Sequence, residues 1–348
     1  MLRSIRDFNF SDKRVLVRCD FNVPLSQTGE ILDDFRIKKT IPTIEYLIKK
    51  GARVILMSHL GRPEGRVVEG LRLVPVQDKL LEYLDSSVVK APDCVGPEIE
   101  KWSKTMTPGE VLLLENLRFH REEKENDRNF AENLARTGDI YINEAFSVSH
   151  RNHASVVGLA KILPCGAGFQ LEKEVEILGG LLENPEKPLV AIIGGKKVED
   201  KAGVIGRISQ VADFVLIGGL IEKAIKEKNI RFNNPEKIIG PVDETGNGRD
   251  IGPQTVKLFS EKISQAKTVF WSGPLGIIEE EEFSSGSRGV AEAIIKSRVF
   301  SAVGGGDTVE FVSRLGLTDK FSHLSLGGGA MLKFLSGEEL PGLKALQK

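Results

Sequence analysis

Leu189-Val190-Ala191-Ile192-Ile193-Gly194-Gly195-Lys196-Lys197 reads as a strand of five apolar residues that ends on a pair of glycines. Its residues do not alternate with polar ones, which is the pattern of a strand covered by helices on both faces. The same pattern recurs through the second half of the chain. Phe214–Ile217 runs into Gly218-Gly219, Val269–Trp271 into Ser272-Gly273-Pro274, Phe300–Val303 into Gly304-Gly305-Gly306-Asp307-Thr308, and Leu324–Leu326 into Gly327-Gly328-Gly329.

Strands of the same kind are expected in the first half at Val15–Val17, Val54–Met57, Val111–Leu114 and Ile140–Ile142. Helical patterns such as Ile37–Lys50, Asp127–Arg136, Gln254–Ala266 and Val290–Ser297 lie between the strands. This alternation predicts an α/β fold of two Rossmann-like domains with mostly parallel, doubly wound sheets. A length of 348 residues also exceeds one ordinary core. Gln170–Glu183 reads as a helix followed by the turn Asn184-Pro185-Glu186-Lys187-Pro188, and we take it as a hinge helix between the sheets. The expected division is 1–169, an interdomain stretch 170–187, and 188–336. Asn229–Gly252, rich in Asn, Pro and Gly, is expected to be an irregular loop.

Composition excludes several classes of function. A formal net charge of -1 argues against general binding to nucleic acid or an anionic membrane. Cys19, Cys94 and Cys165 are scattered and odd in number, which fits a reducing compartment and no disulfide framework. Apolar runs such as Leu189–Ile193 are too short to span a bilayer, and the N-terminal residues lack the apolar stretch of a signal peptide. The expectation is a cytoplasmic protein, and nothing in the sequence demands more than a monomer.

Ligands of open α/β sheets sit beyond the carboxyl ends of the strands, and here the two halves differ. In the first half those ends are polar and cationic: Arg18-Cys19-Asp20-Phe21-Asn22, Ser58-His59-Leu60-Gly61-Arg62, Glu115-Asn116-Leu117-Arg118, and Asn143-Glu144 leading to His150-Arg151-Asn152-His153. Arg36 joins Arg62, Arg118 and Arg151, so four arginines and several histidines converge on one rim. Guanidinium groups match carboxylate and phosphate oxygens in bidentate geometry, so this rim is expected to hold a small polyanion. In the second half the ends are glycines, including Gly194, Gly195, Gly218, Gly304, Gly305 and Gly306, with Pro274 beside Gly273. Bare backbone followed by a helix start suits the phosphates of a nucleotide. Neither a G-x-x-x-x-G-K-S/T loop nor a G-x-G-x-x-G fingerprint is present, which excludes a P-loop NTPase and a standard dinucleotide fold. An anion rim on one domain and a nucleotide rim on the other imply transfer between two bound substrates on domain closure.

Taken in order, Arg18-Cys19-Asp20-Phe21-Asn22-Val23-Pro24, His59-Leu60-Gly61-Arg62-Pro63, Glu115-Asn116-Leu117-Arg118-Phe119, His150-Arg151-Asn152-His153, Gly194-Gly195 with Lys197 and Asp200-Lys201, Trp271-Ser272-Gly273-Pro274, Gly304–Thr308 and Gly327-Gly328-Gly329-Ala330 resemble the phosphoglycerate kinase family over nearly the whole chain. The resemblance implies the reaction 1,3-bisphosphoglycerate + ADP = 3-phosphoglycerate + ATP. It implies that Asp20, Asn22, Arg36, His59, Arg62, Arg118 and Arg151 hold 3-phosphoglycerate. It assigns Gly194, Gly195, Lys197, Lys201, Glu279, Gly305, Gly306, Asp307 and Thr308 to the nucleotide, and it implies that 337–348 folds back onto the first domain.

Both oxygens that exchange the phosphoryl group are already anionic, so no general base is needed. Positioning and positive charge are needed instead. Arg36, Lys197 and Lys201 are expected to supply that charge, and Asp307 to hold Mg²⁺ unless it is a simple helix N-cap. The chain departs from the family pattern on the nucleotide side. It is short between Gly219 and Gly252, carries Lys196 where a small residue is usual, and has Ser272 in place of Asn. A non-catalytic relative that only binds metabolite or nucleotide is the alternative reading.

Overall fold

In the computed structural model, residues 2–196 and 198–347 are described, and they divide into two compact units. The first is Met1–Glu174 together with Glu339–Lys348, and the second is Val175–Glu338.

The first unit is built on six strands: β1 (Arg14–Arg18), β2 (Arg53–Met57), β3 (Val88–Lys90), β4 (Val111–Leu113), β5 (Ile140–Asn143) and β6 (Cys165–Ala167). They pair in the order β3-β4-β2-β1-β5-β6, every pair parallel. Parallel pairing requires a crossover between successive strands, and the helices Phe35–Lys49 and Val74–Tyr83 serve that purpose. Val15, Leu16 and Val17 are all fully buried, as a strand covered on both faces must be. The chain winds outward from β1 through β2 and then returns to lay β5 on the other side of β1. The carboxyl ends of β1 and β5 therefore flank the switch point, where a doubly wound sheet opens a crevice.

The second unit repeats the plan with β7 (Leu189–Ile193), β8 (Phe214–Ile217), β9 (Ile238–Ile239), β12 (Thr268–Ser272), β13 (Phe300–Gly304) and β14 (His323–Leu324). Their order is β14-β13-β12-β7-β8-β9, again all parallel, with the switch point between β7 and β12. Residues 229–252, expected as an irregular loop, contain a one-turn helix at Pro235–Lys237, the edge strand β9, and a small antiparallel hairpin of β10 (Glu244–Thr245) and β11 (Asp250–Ile251). Asp250 is buried and ties the hairpin down by accepting from Gly286 N at 2.7 Å and from Ser285 Oγ at 3.0 Å.

The helix Phe169–Glu183 begins in the first unit, and the division of the chain falls within it. Its first turn is held by Glu144, the residue after β5. The buried Glu144 carboxylate accepts from Gln170 N at 3.1 Å and from Thr43 Oγ1 at 2.6 Å. A carboxylate at a helix start meets unpaired N–H groups and the positive dipole end. Burial nonetheless pushes this carboxyl up to about 8, against the pull of those donors. Gly168 leaves room for it, since a Cβ there would stand 1.9 Å from Glu144 Oε2. At the other end of the sequence, helix Pro341–Leu346 packs on the first unit, with Gly342 N donating to Ser149 O at 2.8 Å.

Replacing Glu144 with Ala leaves the buried Gln170 N–H without its acceptor. We expect a loss of about 3 kcal/mol, read as a lower urea midpoint at unchanged slope. An unchanged midpoint would contradict this role.

Candidate active site

At the β1/β5 switch point the polar residues are tied to one another. Asp20, buried at the end of β1, pairs with the Arg36 guanidinium and accepts from Ser147 Oγ at 2.6 Å. Arg36 is thereby aimed by an acid from a different element, while its own side chain stays partly exposed. Asn22 Oδ1 accepts from Gly61 N at 2.8 Å, and Arg118 Nη1 donates to Gly61 O at 2.9 Å. Asn116 fixes the same turn through Leu60 O and Leu71 O. The loops after β1, β2 and β4 are thus joined into one surface that carries Asn22, His59, Arg62 and Arg118.

The arginines of this unit differ in how they are paired. Arg72 pairs with Glu69 and Glu115, and Arg14 pairs with Asp139. Among the described residues, Arg62, Arg118 and Arg151 make no such carboxylate pair. Burial and the neighbouring charges of Arg18, Arg151 and Arg62 bring the Arg118 guanidinium down to about 10, and its buried Nε has no hydrogen-bond partner. Burial and Arg18, Arg118 and Arg151 likewise hold His153 down to about 3. Cations crowded this way repel one another, and an anion placed among them relieves the repulsion.

In the second unit a cavity of about 390 Å³ opens at the β7/β12 switch point. Glycines make up much of its lining. The turns after β7 and β12 touch directly, with Gly194 N donating to Ser272 O at 2.9 Å and Gly195 N to Pro274 O at 2.8 Å. No side chain fits between them: a Cβ on Gly194 would lie 2.1 Å from Pro274 O, and one on Gly273 would lie 2.1 Å from Gly194 O. Gly195, Gly218, Pro274, Glu279, Gly305, Gly306, Asp307, Thr308 and Lys201 all line the cavity. Gly194 and Gly304 sit immediately behind that wall, at the ends of β7 and β13. Lys197 lies outside the described residues.

The helix Gly306–Arg314 starts at this cavity with Gly305 as its N-cap, so the exposed Asp307 belongs to the first helical turn and is not the cap. Lys201 is buried and donates to Ser272 Oγ at 2.8 Å, giving Ser272 a definite role. Lys196 pairs with Glu279 at 3.6 Å, both side chains largely exposed. Thr308 Oγ1 accepts from Gly273 N at 2.8 Å and so locks the β12 turn to the helix.

Sequence reasoning did not single out the apolar part of the cavity, formed by Leu220, Leu275 and Leu332. Each stands just after a glycine turn or on the helix that follows one, and that position was the available signal. It also left Arg18 without a role, although that residue opens one of the motifs.

Two doubly wound sheets, one with a cationic rim at its switch point and one with a glycine-walled cavity at its own, suit a phosphotransferase acting on a small anion and a nucleotide. The family model described as phosphoglycerate kinase matches residues 5–236 and 221–338. Curated relatives named phosphoglycerate kinase include those of Dictyoglomus turgidum, 45% identical over 99% of this chain and 98% of that protein, and Borrelia garinii subsp. bavariensis, 43% identical over 100% of both. Solved phosphoglycerate kinase structures from Coxiella burnetii and Pyrococcus horikoshii superpose with TM-scores of 0.81 and 0.86 at 34% and 33% identity. The first match covers 99% of each chain; the second covers 100% of this chain and 98% of the other.

The chain belongs to the phosphoglycerate kinase family. It is a glycolytic kinase, and the alternative of a non-catalytic relative is not favoured. The alignment with the Dictyoglomus protein runs over 388 positions against 348 residues here, so at least 40 (388 less 348) have no counterpart in this chain. The two family matches overlap at residues 221–236, a stretch that includes most of helix Gly219–Glu227.

Thr308→Val removes the acceptor of a buried N–H. Stability should fall by about 1–3 kcal/mol in urea unfolding, and affinity for Mg-ADP should fall in calorimetry as the Gly273 turn loosens.

Proposed function

We propose that the two switch-point sites hold the two substrates of one direct, in-line phosphoryl transfer. In this reading Asp20, Asn22, Arg36, His59, Arg62, Arg118 and Arg151 seat 3-phosphoglycerate or its acyl phosphate. Gly194, Gly195, Gly218, Pro274, Glu279, Gly304, Gly305, Gly306, Asp307 and Thr308 seat ADP or ATP, with Lys197 and Lys201 at the phosphates. The supporting observation is that Arg62, Arg118 and Arg151 have no carboxylate partner among the described residues, beside Arg36, which Asp20 aims.

The chemistry asks little of the protein beyond placement. The attacking oxygen carries its own negative charge, so no proton has to be removed. Arg36, aimed by Asp20, neutralises charge on the transferring group from the acid side, and Lys197 and Lys201 do so from the nucleotide side. Closure of the two domains about helix Phe169–Glu183 would bring the groups in line and exclude water. Asp307 is exposed on the cavity wall and offers hard carboxylate oxygens, which suits Mg²⁺ shared with nucleotide phosphates. When bound, Mg²⁺ would offset charge on those phosphates. Among the described residues no helix is long and apolar enough to cross a membrane. The proposal takes the enzyme as a cytoplasmic monomer with no nucleic-acid partner, in keeping with its formal net charge of -1.

Arg36→Ala should lower kcat by about 10²–10³-fold while changing Mg-ADP affinity little. Near-normal turnover in a coupled assay would remove Arg36 from the mechanism. Asp307→Ala should weaken Mg-nucleotide binding far more than 3-phosphoglycerate binding, and equal calorimetric losses for both ligands would count against it.

A further inference from the structure

Arg18 ends strand β1 with its side chain fully buried, and Glu123, from helix Arg121–Glu125, is fully buried near it. The two are joined through a hydroxyl. Arg18 Nε donates to Ser155 Oγ at 2.8 Å, and Ser155 Oγ donates to Glu123 Oε1 at 2.5 Å. Ser155 N donates to Glu123 Oε2 at 2.8 Å, while Arg18 Nη1 donates to Cys19 O. The last arm of the guanidinium, Nη2, lies 3.1 Å from His59 Nδ1.

Every direction in this chain is forced. A guanidinium has five donors and no acceptor, so His59 Nδ1 must receive the hydrogen bond. Ser155 Oγ already receives from Arg18, so its single proton goes to Glu123. A neutral imidazole carries one N–H, and with Nδ1 accepting that proton sits on Nε2. The opposite tautomer would set an N–H against an N–H at 3.1 Å. The doubly protonated ring would meet the same clash. Burial and the charges of Arg18, Arg118 and Arg36 disfavour it as well, holding His59 well below its usual range.

We propose that Arg18 is a positioning residue, which fixes His59 as its Nε2-protonated tautomer through a one-way hydrogen-bond chain with Ser155 and Glu123. The ring then presents a donor at all working pH values to an anion whose oxygens only accept. Burying a full charge pair is a weak way to gain stability, and orientation of a neighbouring group is the better account of it. The inference rests on the proposed seating of 3-phosphoglycerate at His59, but the tautomer can be measured without that ligand.

The test is long-range ¹H–¹⁵N NMR on the full chain labelled at its five histidines, with His59→Gln identifying the His59 signals. The expected pattern is a neutral ring protonated at Nε2, unchanged between about pH 6 and pH 8. A ring protonated at Nδ1 or at both nitrogens overturns the proposal, and this needs no variant of Arg18. Arg18→Met should give mixed tautomers and about tenfold weaker 3-phosphoglycerate binding, with Mg-ADP affinity retained. A folded Arg18→Met with the tautomer and the affinity both intact would also overturn it. If the wild-type ring is Nε2-protonated but its signals do not move on saturation with 3-phosphoglycerate, the tautomer lock stands and the placing of His59 in the anion seat fails.

Discussion

Repulsion among cations at the β1/β5 switch point is the constraint around which the first unit is arranged. Burial, with Arg18, Arg151 and Arg62 close by, depresses Arg118, and burial with Arg18, Arg118 and Arg151 depresses His153. Such a group persists in a folded protein only when rigid elements over-determine it. Here Asn22, Gly61 and Asn116 join three loops, Asp20 aims Arg36, and Glu123 offsets the buried Arg18 through Ser155. In the proposed reading an anion at the rim would satisfy what the fold has assembled, so affinity and pre-organisation would share one cause.

The second unit solves a different problem with different material. Phosphate needs N–H donors and close approach, and side chains obstruct both. At the β7/β12 switch point the turns come so near that neither Gly194 nor Gly273 can carry a Cβ. Lys201 is buried against Ser272, and Thr308 clamps the β12 turn. Charge on this side comes from few residues on a rigid backbone frame. The chain has these contacts although at least 40 positions of the alignment with the Dictyoglomus relative have no counterpart in it.

Much of this could be read from the sequence because the strands that matter are long, apolar and followed at once by their functional residues. Leu189–Ile193 with Gly194-Gly195 is the plainest case. The strands that escaped notice are edge or very short ones: Val88–Lys90 exposes Val89, Cys165–Ala167 has no β-branched residue, and Ile238–Ile239 sits inside a loop-like composition. Their pairing is imposed by neighbours, which no local pattern records. Asp307 looked like a possible cap because three glycines precede it, yet Gly305 takes that place. Arg18 shows the same limit at the site, since its partners Ser155 and His59 are distant in sequence and only the fold brings them to it.

The central claim is that the two sites serve one transfer. A coupled assay of the full chain with 3-phosphoglycerate and Mg-ATP tests it most directly, with calorimetry for each ligand alongside. The account predicts ADP formation that requires both substrates and saturates in each. Tight binding of both ligands with no ADP formed would contradict it.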